Sequence, residues 1–268
     1  MPVPQQLFQH TFPNGLTLLG EQMEHVRSAS MNLMIPAGYA YEPADKLGLC
    51  GIFADVLTRG AGEYDSKQLA AAFDNLGADH SESAGTFNVV FSAGTLARNL
   101  PSVLRLYADV VLRPWLPDDE VEPARDISLQ ELKGLDDSPP DLCFLELKRR
   151  FYPDPYSRNQ YGTAETLMAV TPADVKKFHA DRFHPNGAIL SVAGNIAWEP
   201  LKELVGSVFA DWKGKASDVT PGAVPPTGYT HIPKDTNQTQ ITLAYPTAPF
   251  RSPDYYLARA AVNVLDGG

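Results

Sequence analysis

Cysteine is nearly absent from this chain, with two in 268 residues, Cys50 and Cys143. Both fall in apolar stretches, Cys143 within Leu142-Cys143-Phe144-Leu145, and read as buried reduced thiols rather than a disulfide. No CxxC pair occurs, and neither do a GxSxG elbow, a Walker A loop or a dinucleotide fingerprint, so redox, nucleophilic and nucleotide-dependent chemistries lack support. Basic residues are also short: 22 Lys and Arg face 32 Asp and Glu, for a net charge of −10. That balance argues against nucleic acid as a partner, because binding phosphates needs a basic surface. No apolar run approaches the length of a membrane span. Residues 1–20 lack the charged start, long apolar core and small-residue cleavage site of a signal peptide. The expectation is cytoplasmic residence with no membrane partner.

What is present suits a globular protein, since 268 residues at 44% hydrophobic can bury one large core or two modest ones. Period-two alternation, clearest in Thr86-Phe87-Asn88-Val89-Val90-Phe91-Ser92, places strands at 6–12, 15–22, 27–36, 78–84, 86–94 and 187–194. Helices are predicted over 47–59, 66–76, 97–112, 118–135, 139–151, 172–182 and 198–212. Asp65 with Gln68 forms a capping-box pattern, Gly77 a stop, and Thr171-Pro172 an N-cap followed by an N1 proline. His179 and His184 flank a helix end where positive charge would suit the helix dipole. Pairs of strands followed by pairs of helices predict an α+β architecture, an antiparallel sheet with helices packed on one face.

One boundary is visible. Lys213 to Gly228 holds three prolines and three glycines without apolar periodicity, so 214–228 is expected to be a linker. It separates a domain at 1–213 from residues 229–268. Within the latter, Gln238–Tyr245 reads as a strand and Pro253–Leu265 as a helix. Some forty residues bury too little surface for a core of their own, so 229–268 is expected to be the truncated beginning of a second domain.

The segment Gly48-Leu49-Cys50-Gly51-Ile52-Phe53-Ala54-Asp55-Val56-Leu57 taken alone is a small-residue apolar helix. Its surroundings say more. Before it come Phe12-Pro13-Asn14-Gly15-Leu16-Thr17-Leu18-Leu19, with an Asn-Gly turn, then Glu21, and the strand from Ser28 that ends in Pro36-Ala37-Gly38-Tyr39-Ala40-Tyr41-Glu42. After it come Thr58-Arg59-Gly60-Ala61-Gly62 and Ala124-Arg125-Asp126-Ile127-Ser128-Leu129-Gln130-Glu131-Leu132. Tyr152-Pro153-Asp154-Pro155-Tyr156, Gly162-Thr163-Ala164-Glu165, Thr171 to Val175, Phe183 to Gly187 and Val192 to Ile196 complete the series. In this order the segments resemble the pitrilysin/insulinase metallopeptidases, the inverted-zincin family that includes the mitochondrial processing peptidases. The segment 48–57 is similar to the family's HxxEH helix, with Gly51, Ala54 and Asp55 where His, Glu and His are expected.

On such a helix two histidines four residues apart bind one zinc ion, and the glutamate is the base for the metal-bound water. Gly51 and Ala54 supply neither ligand nor base, and one carboxylate is a poor zinc site. The resemblance makes Glu131, 76 positions after Asp55, the equivalent of the family's third ligand, a relic held by Arg or Lys; without the resemblance a solvated helix face explains it. No cofactor is expected in this chain. The resemblance implies zinc in a partner, an HxxEH-bearing subunit or homologous half, with peptide or unfolded polypeptide as substrate. It also implies that peptide adds as a strand to an exposed edge, here Ala78, Asp79, His80, Ser81, Glu82, Ser83 and Ala84; an ordinary edge guarded by charge reads the same way. Three functions follow: a noncatalytic subunit of a heterodimeric peptidase, a metallopeptidase with a rearranged site of Asp55, Glu131 and His80 for Zn²⁺ or Mn²⁺, or a purely structural subunit.

Overall fold

The structure is a computed structural model and describes residues 6–234 and 238–265. Its frame follows from strands with one apolar face. β1 (Gln6–Thr11) and β2 (Thr17–Gln22) form a hairpin around Asn14-Gly15, where Gly15 takes the positive φ of 97° that the turn demands. β3 (Ser28–Ile35) buries Ala29, Met31, Leu33 and Ile35 and exposes the residues between them. The chain then enters α1 (Leu49–Leu57), a two-residue hairpin of β4 (Gly60–Ala61) and β5 (Tyr64–Asp65), and α2 (Ser66–Asn75). β6 (Asp79–Ala84), β7 (Val89–Leu96) and α3 (Leu100–Leu112) follow. Next are α4 (Val121–Gly134), α5 (Pro139–Phe151), α6 (Ala164–Met168) and α7 (Pro172–Arg182). β8 (Ile189–Gly194), α8 (Trp198–Val208) and α9 (Tyr255–Leu265) end the described chain.

Six strands make one open sheet in the order β1-β2-β8-β3-β7-β6. Four ladders are antiparallel; β2 and β8 run parallel, so the sheet is mixed where an antiparallel one was expected. The reason is topological: β8 returns after the helices and inserts between β2 and β3, and antiparallel pairing with β3 fixes its direction. Buried strand residues and the buried faces of α1, α3, α7 and α8 share one core, while the other sheet face stays open, with Ser92 Oγ donating to Asn32 Oδ1 at 2.6 Å. Helices therefore lie on one face, as the α+β reading requires. The α2 capping box forms as expected, Gln68 N to Asp65 Oδ1 at 2.8 Å and Asp65 N to Gln68 Oε1 at 3.0 Å.

Among the described residues no helix is long and apolar enough to cross a membrane. Cys50 is buried with its thiol on the Ala37 carbonyl at 3.2 Å, whereas Cys143 is only half-buried. The segment read as linker is not wholly free, because Ala216 N donates to Asn186 Oδ1 and Arg182 Nη1 to Ser217 O, both at 2.8 Å. Gln238–Tyr245 was expected as a strand but pairs with no neighbour among the described residues. A strand exists only by virtue of a ladder, and alternation supplies just one side of it.

Candidate functional site: the α1–α4 face

α1 is anchored at its start by a carboxylate from upstream. Glu42 accepts from Gly48 N at 3.1 Å on Oε2 and from Cys50 N at 2.6 Å on Oε1, satisfying two amides that the first helical turn leaves free. Glu42 is 4% exposed. Burial pushes its carboxyl up to about 8, against the pull of the two amides and of Arg158. Arg158 in turn donates to the Glu42 carbonyl at 2.6 Å. In the sequence Glu42 stands only as the end of a turn motif, and nothing local shows a carboxylate folding back over six residues.

From that anchor α1 turns Ile52, Phe53, Val56 and Leu57 inward, Phe53 packing edge-on against Phe178 and Phe183 at 5.2 and 4.9 Å. Gly51, Ala54 and Asp55 remain on a half-exposed stripe facing α4, as spacings of three and four on a helix require. No packing demand explains the missing side chain at Gly51. A Cβ there would sit 3.9 Å from both Ser128 Oγ and the Gln160 carbonyl, ordinary contact distance.

Asp55 is already partnered: Arg59, one turn on, donates from Nη2 to both carboxylate oxygens at 3.0 and 2.9 Å. Arg59 Nε lies 3.8 Å from Glu120 Oε2, so the guanidinium stands between two carboxylates. The Asp-x-x-x-Arg spacing was legible in the sequence as a helical ion pair, yet the resemblance drew attention to Asp55 alone. Glu131 is exposed and lines a pocket of about 290 Å³ with Ser138, Asp141, Gln160 and Tyr161 among its walls. It makes no hydrogen bond or ion pair with another described residue, so the expectation that Arg or Lys holds it is corrected.

His80 sits on β6, which packs beside α1, but its side chain turns toward α2. Its ring stacks on Phe73 at 4.3 Å and its Nδ1 is 3.2 Å from Glu82 Oε1. Among the described residues no group of three or more His, Cys, Asp or Glu is placed to hold a metal ion. The rearranged site of Asp55, Glu131 and His80 is therefore not assembled, because β6 pairs at the sheet edge and turns His80 onto α2. The donors on the α1–α4 face do not fit zinc either: a glycine, an alanine, an aspartate neutralised by Arg59 and one unpaired glutamate provide no imidazole and only a single open carboxylate.

The predicted edge strand is an edge. β6 pairs only with β7, and Ala78 precedes it. Its inner side is tied down by Tyr107, whose buried hydroxyl lies 3.0 Å from both Glu82 Oε1 and the Ser92 carbonyl; burial, then Glu82, raises the Tyr107 pKa. The outer backbone groups of β6 meet no strand among the described residues. His179 corrects its own reading. Burial lowers its pKa, and its Nε2 lies 2.8 Å from the Val111 carbonyl, so this half-buried ring is disfavoured as a charge on the helix dipole.

An open sheet covered on one face, with a helix pair crossing beneath its edge, defines a pitrilysin-like class of fold. Pitrilysin superposes with a TM-score of 0.72 at 19% identity over 84% of this chain and 24% of its own. A crystal structure titled peptidase M16 inactive domain, from Pseudomonas fluorescens, gives 0.75 at 22% identity over 82% of this chain and 54% of that one.

The chain belongs to the insulinase family, peptidase family M16, whose family model matches residues 18–164. A second model, described as the peptidase M16 inactive domain, matches residues 169–268. An uncharacterized zinc protease of Rickettsia felis is 26% identical over 95% of this chain and 62% of its own length. The beta subunit of the mitochondrial-processing peptidase of Saccharomyces cerevisiae is 23% identical over 94% and 56%. The chain thus spans between half and two thirds of these curated relatives.

Proposed function

We propose that this chain is a noncatalytic subunit or half of an M16 peptidase, which forms a peptide-binding chamber with an HxxEH-bearing partner. One observation carries the reading: at the positions where the family helix bears its zinc chemistry, Gly51 and Ala54 offer no ligand or base and Asp55 is committed to Arg59. Water activation by a bound metal contributes several kcal/mol of transition-state stabilisation, and no described group on this face replaces it. A partner's zinc would do that chemistry. The open β6 edge supports a peptide-binding role, because unpaired backbone groups offer hydrogen bonds to any sequence while alternate side chains select. A relative that is by name a subunit agrees with an assembly of unlike chains. Cytoplasmic residence, a second domain beginning at 229 and the exclusion of nucleic acid belong to the same proposal.

The test is to mix the full-length protein with a candidate HxxEH-bearing subunit, then measure complex size by size-exclusion chromatography and turnover of an unstructured peptide. The expected outcome is a larger species that hydrolyses peptide faster than the partner alone. A complex with unchanged turnover would assign this chain a structural role instead, and no complex would remove the partner from the account.

A further inference from the structure

We propose that residues 213–234 form a strap that holds α5 against the domain and thereby sets the opening of the pocket beside Glu131. The inference stands apart from the proposed function, since it concerns how one surface of the chain is closed, whatever the pocket admits.

α5 needs holding. None of its residues is fully buried, and Phe144 is 61% exposed, so apolar packing contributes little to its placement. Its C-terminal half has one polar tether, Lys148, which donates to Tyr39 Oη at 2.8 Å and sits over the same ring at 4.8 Å. Its N-cap Ser138 and first-turn Asp141 line the pocket wall, and the strap reaches the chain just before them, at Asp136.

The strap is rooted firmly. Arg182, 8% exposed, donates to Pro36 O at 3.1 Å and to Ser217 O at 2.8 Å and lies 3.9 Å over the Tyr41 ring, binding strap, sheet and turn together. Asn186 adds a second fixed point through Ala216. Downstream, Gly222 N donates to the Asp154 carbonyl at 2.7 Å, just past the end of α5, and Lys234 Nζ to the Asp136 carbonyl at 2.5 Å, just before its start. Asp136 adjoins Leu135, itself part of the pocket wall. A separate contact farther along the chain continues the pattern, with Thr242 Oγ1 lying 3.2 Å from Cys143 Sγ on α5. The strap thus bonds the chain just before and just after one weakly packed helix, and a later segment meets that helix at its middle.

The closeness of Thr242 to Cys143 supplies the test. In the full chain carrying Thr242→Cys, oxidised glutathione is expected to form a disulfide with Cys143, Cys50 being buried. Hydrogen exchange read by mass spectrometry should then show α5 amides slowed about threefold or more, with β3 and β7 amides unchanged as internal controls. Lys234→Ala in the otherwise unaltered chain should do the reverse and speed exchange over 135–145. If no Cys143 disulfide forms, the segment is not docked there. If Lys234→Ala leaves exchange over 135–145 unchanged, the strap does not hold the helix, and the proposal is overturned whether or not Thr242→Cys cross-links.

Discussion

Glu42 is the residue whose chemistry departs furthest from its ordinary state near the site. Its carboxyl is buried at the head of α1 and titrates near 8. A carboxyl whose pKa is raised on folding keeps a proton that the unfolded chain releases, so its contribution favours the folded state at low pH. That contribution is lost as pH rises from the unfolded value near 4.5 to about 8. Urea titrations should therefore show stability falling between these limits by up to roughly 5 kcal/mol from this group. Glu42→Gln should flatten the slope, and should cost on the order of 1–2 kcal/mol at pH 5, since the NH2 that replaces one oxygen cannot accept from a helix amide, whereas the hydroxyl oxygen of the protonated carboxyl still can. An unchanged slope in the variant would show that another group titrates there. Asp55 and Arg59 contrast with this: their i,i+4 pair is about one third exposed on each side, and such pairs contribute only about 0.3–0.5 kcal/mol. Asp55 is important for what it does not do, because a carboxylate held by its own helix has no vacancy for a metal.

At the scale of elements, most of the frame was legible and the exceptions have two causes. Strands β3 and β7, helix α5 and the caps at Asp65 and Thr171 lie where alternation, helical period and capping chemistry put them. The short α6 was missed although Thr163 and Thr166 make a capping box, because five residues hold too little periodicity to see. Two other misreadings, the parallel β2–β8 pairing and the strand at Gln238–Tyr245, were questions of which strand meets which. Local pattern carries no information about that. The site divides along the same line. The absence of His and Glu at Gly51, Ala54 and Asp55 was plain in the letters; the Glu42 cap, the isolation of Glu131 and the turning of His80 onto Phe73 needed three-dimensional placement. The edge strand offers a test at this scale. Tyr107→Phe removes the buried hydroxyl shared by Glu82 and Ser92, and should destabilise the fold by about 1–2 kcal/mol. Exchange of β6 amides should rise more than that of β3 amides. Equal loosening of both strands would mean that Tyr107 supports the core at large and not the edge.

For the whole molecule, an insulinase-family fold keeps its sheet, its helix pair and an open edge while the face that would bear zinc carries a glycine, an alanine and a neutralised aspartate. On the proposed function such a chain would grip and position a peptide, and among the described residues of this face no group replaces a metal in activating water for hydrolysis. The proposal is therefore a division of labour between two unlike chains, with grip shared and metal on the partner's side. The decisive measurement is peptide turnover by the reconstituted assembly, comparing substitutions on the two chains. Asp55→Ala and Glu131→Gln in this chain should leave the rate within about twofold, whereas Glu→Gln in the partner's HxxEH motif should abolish it, as loss of a general base costs about 10²–10⁴ or more. Turnover that collapses with Asp55→Ala or Glu131→Gln, and survives the partner's substitution, would place the chemistry on this chain and contradict the account.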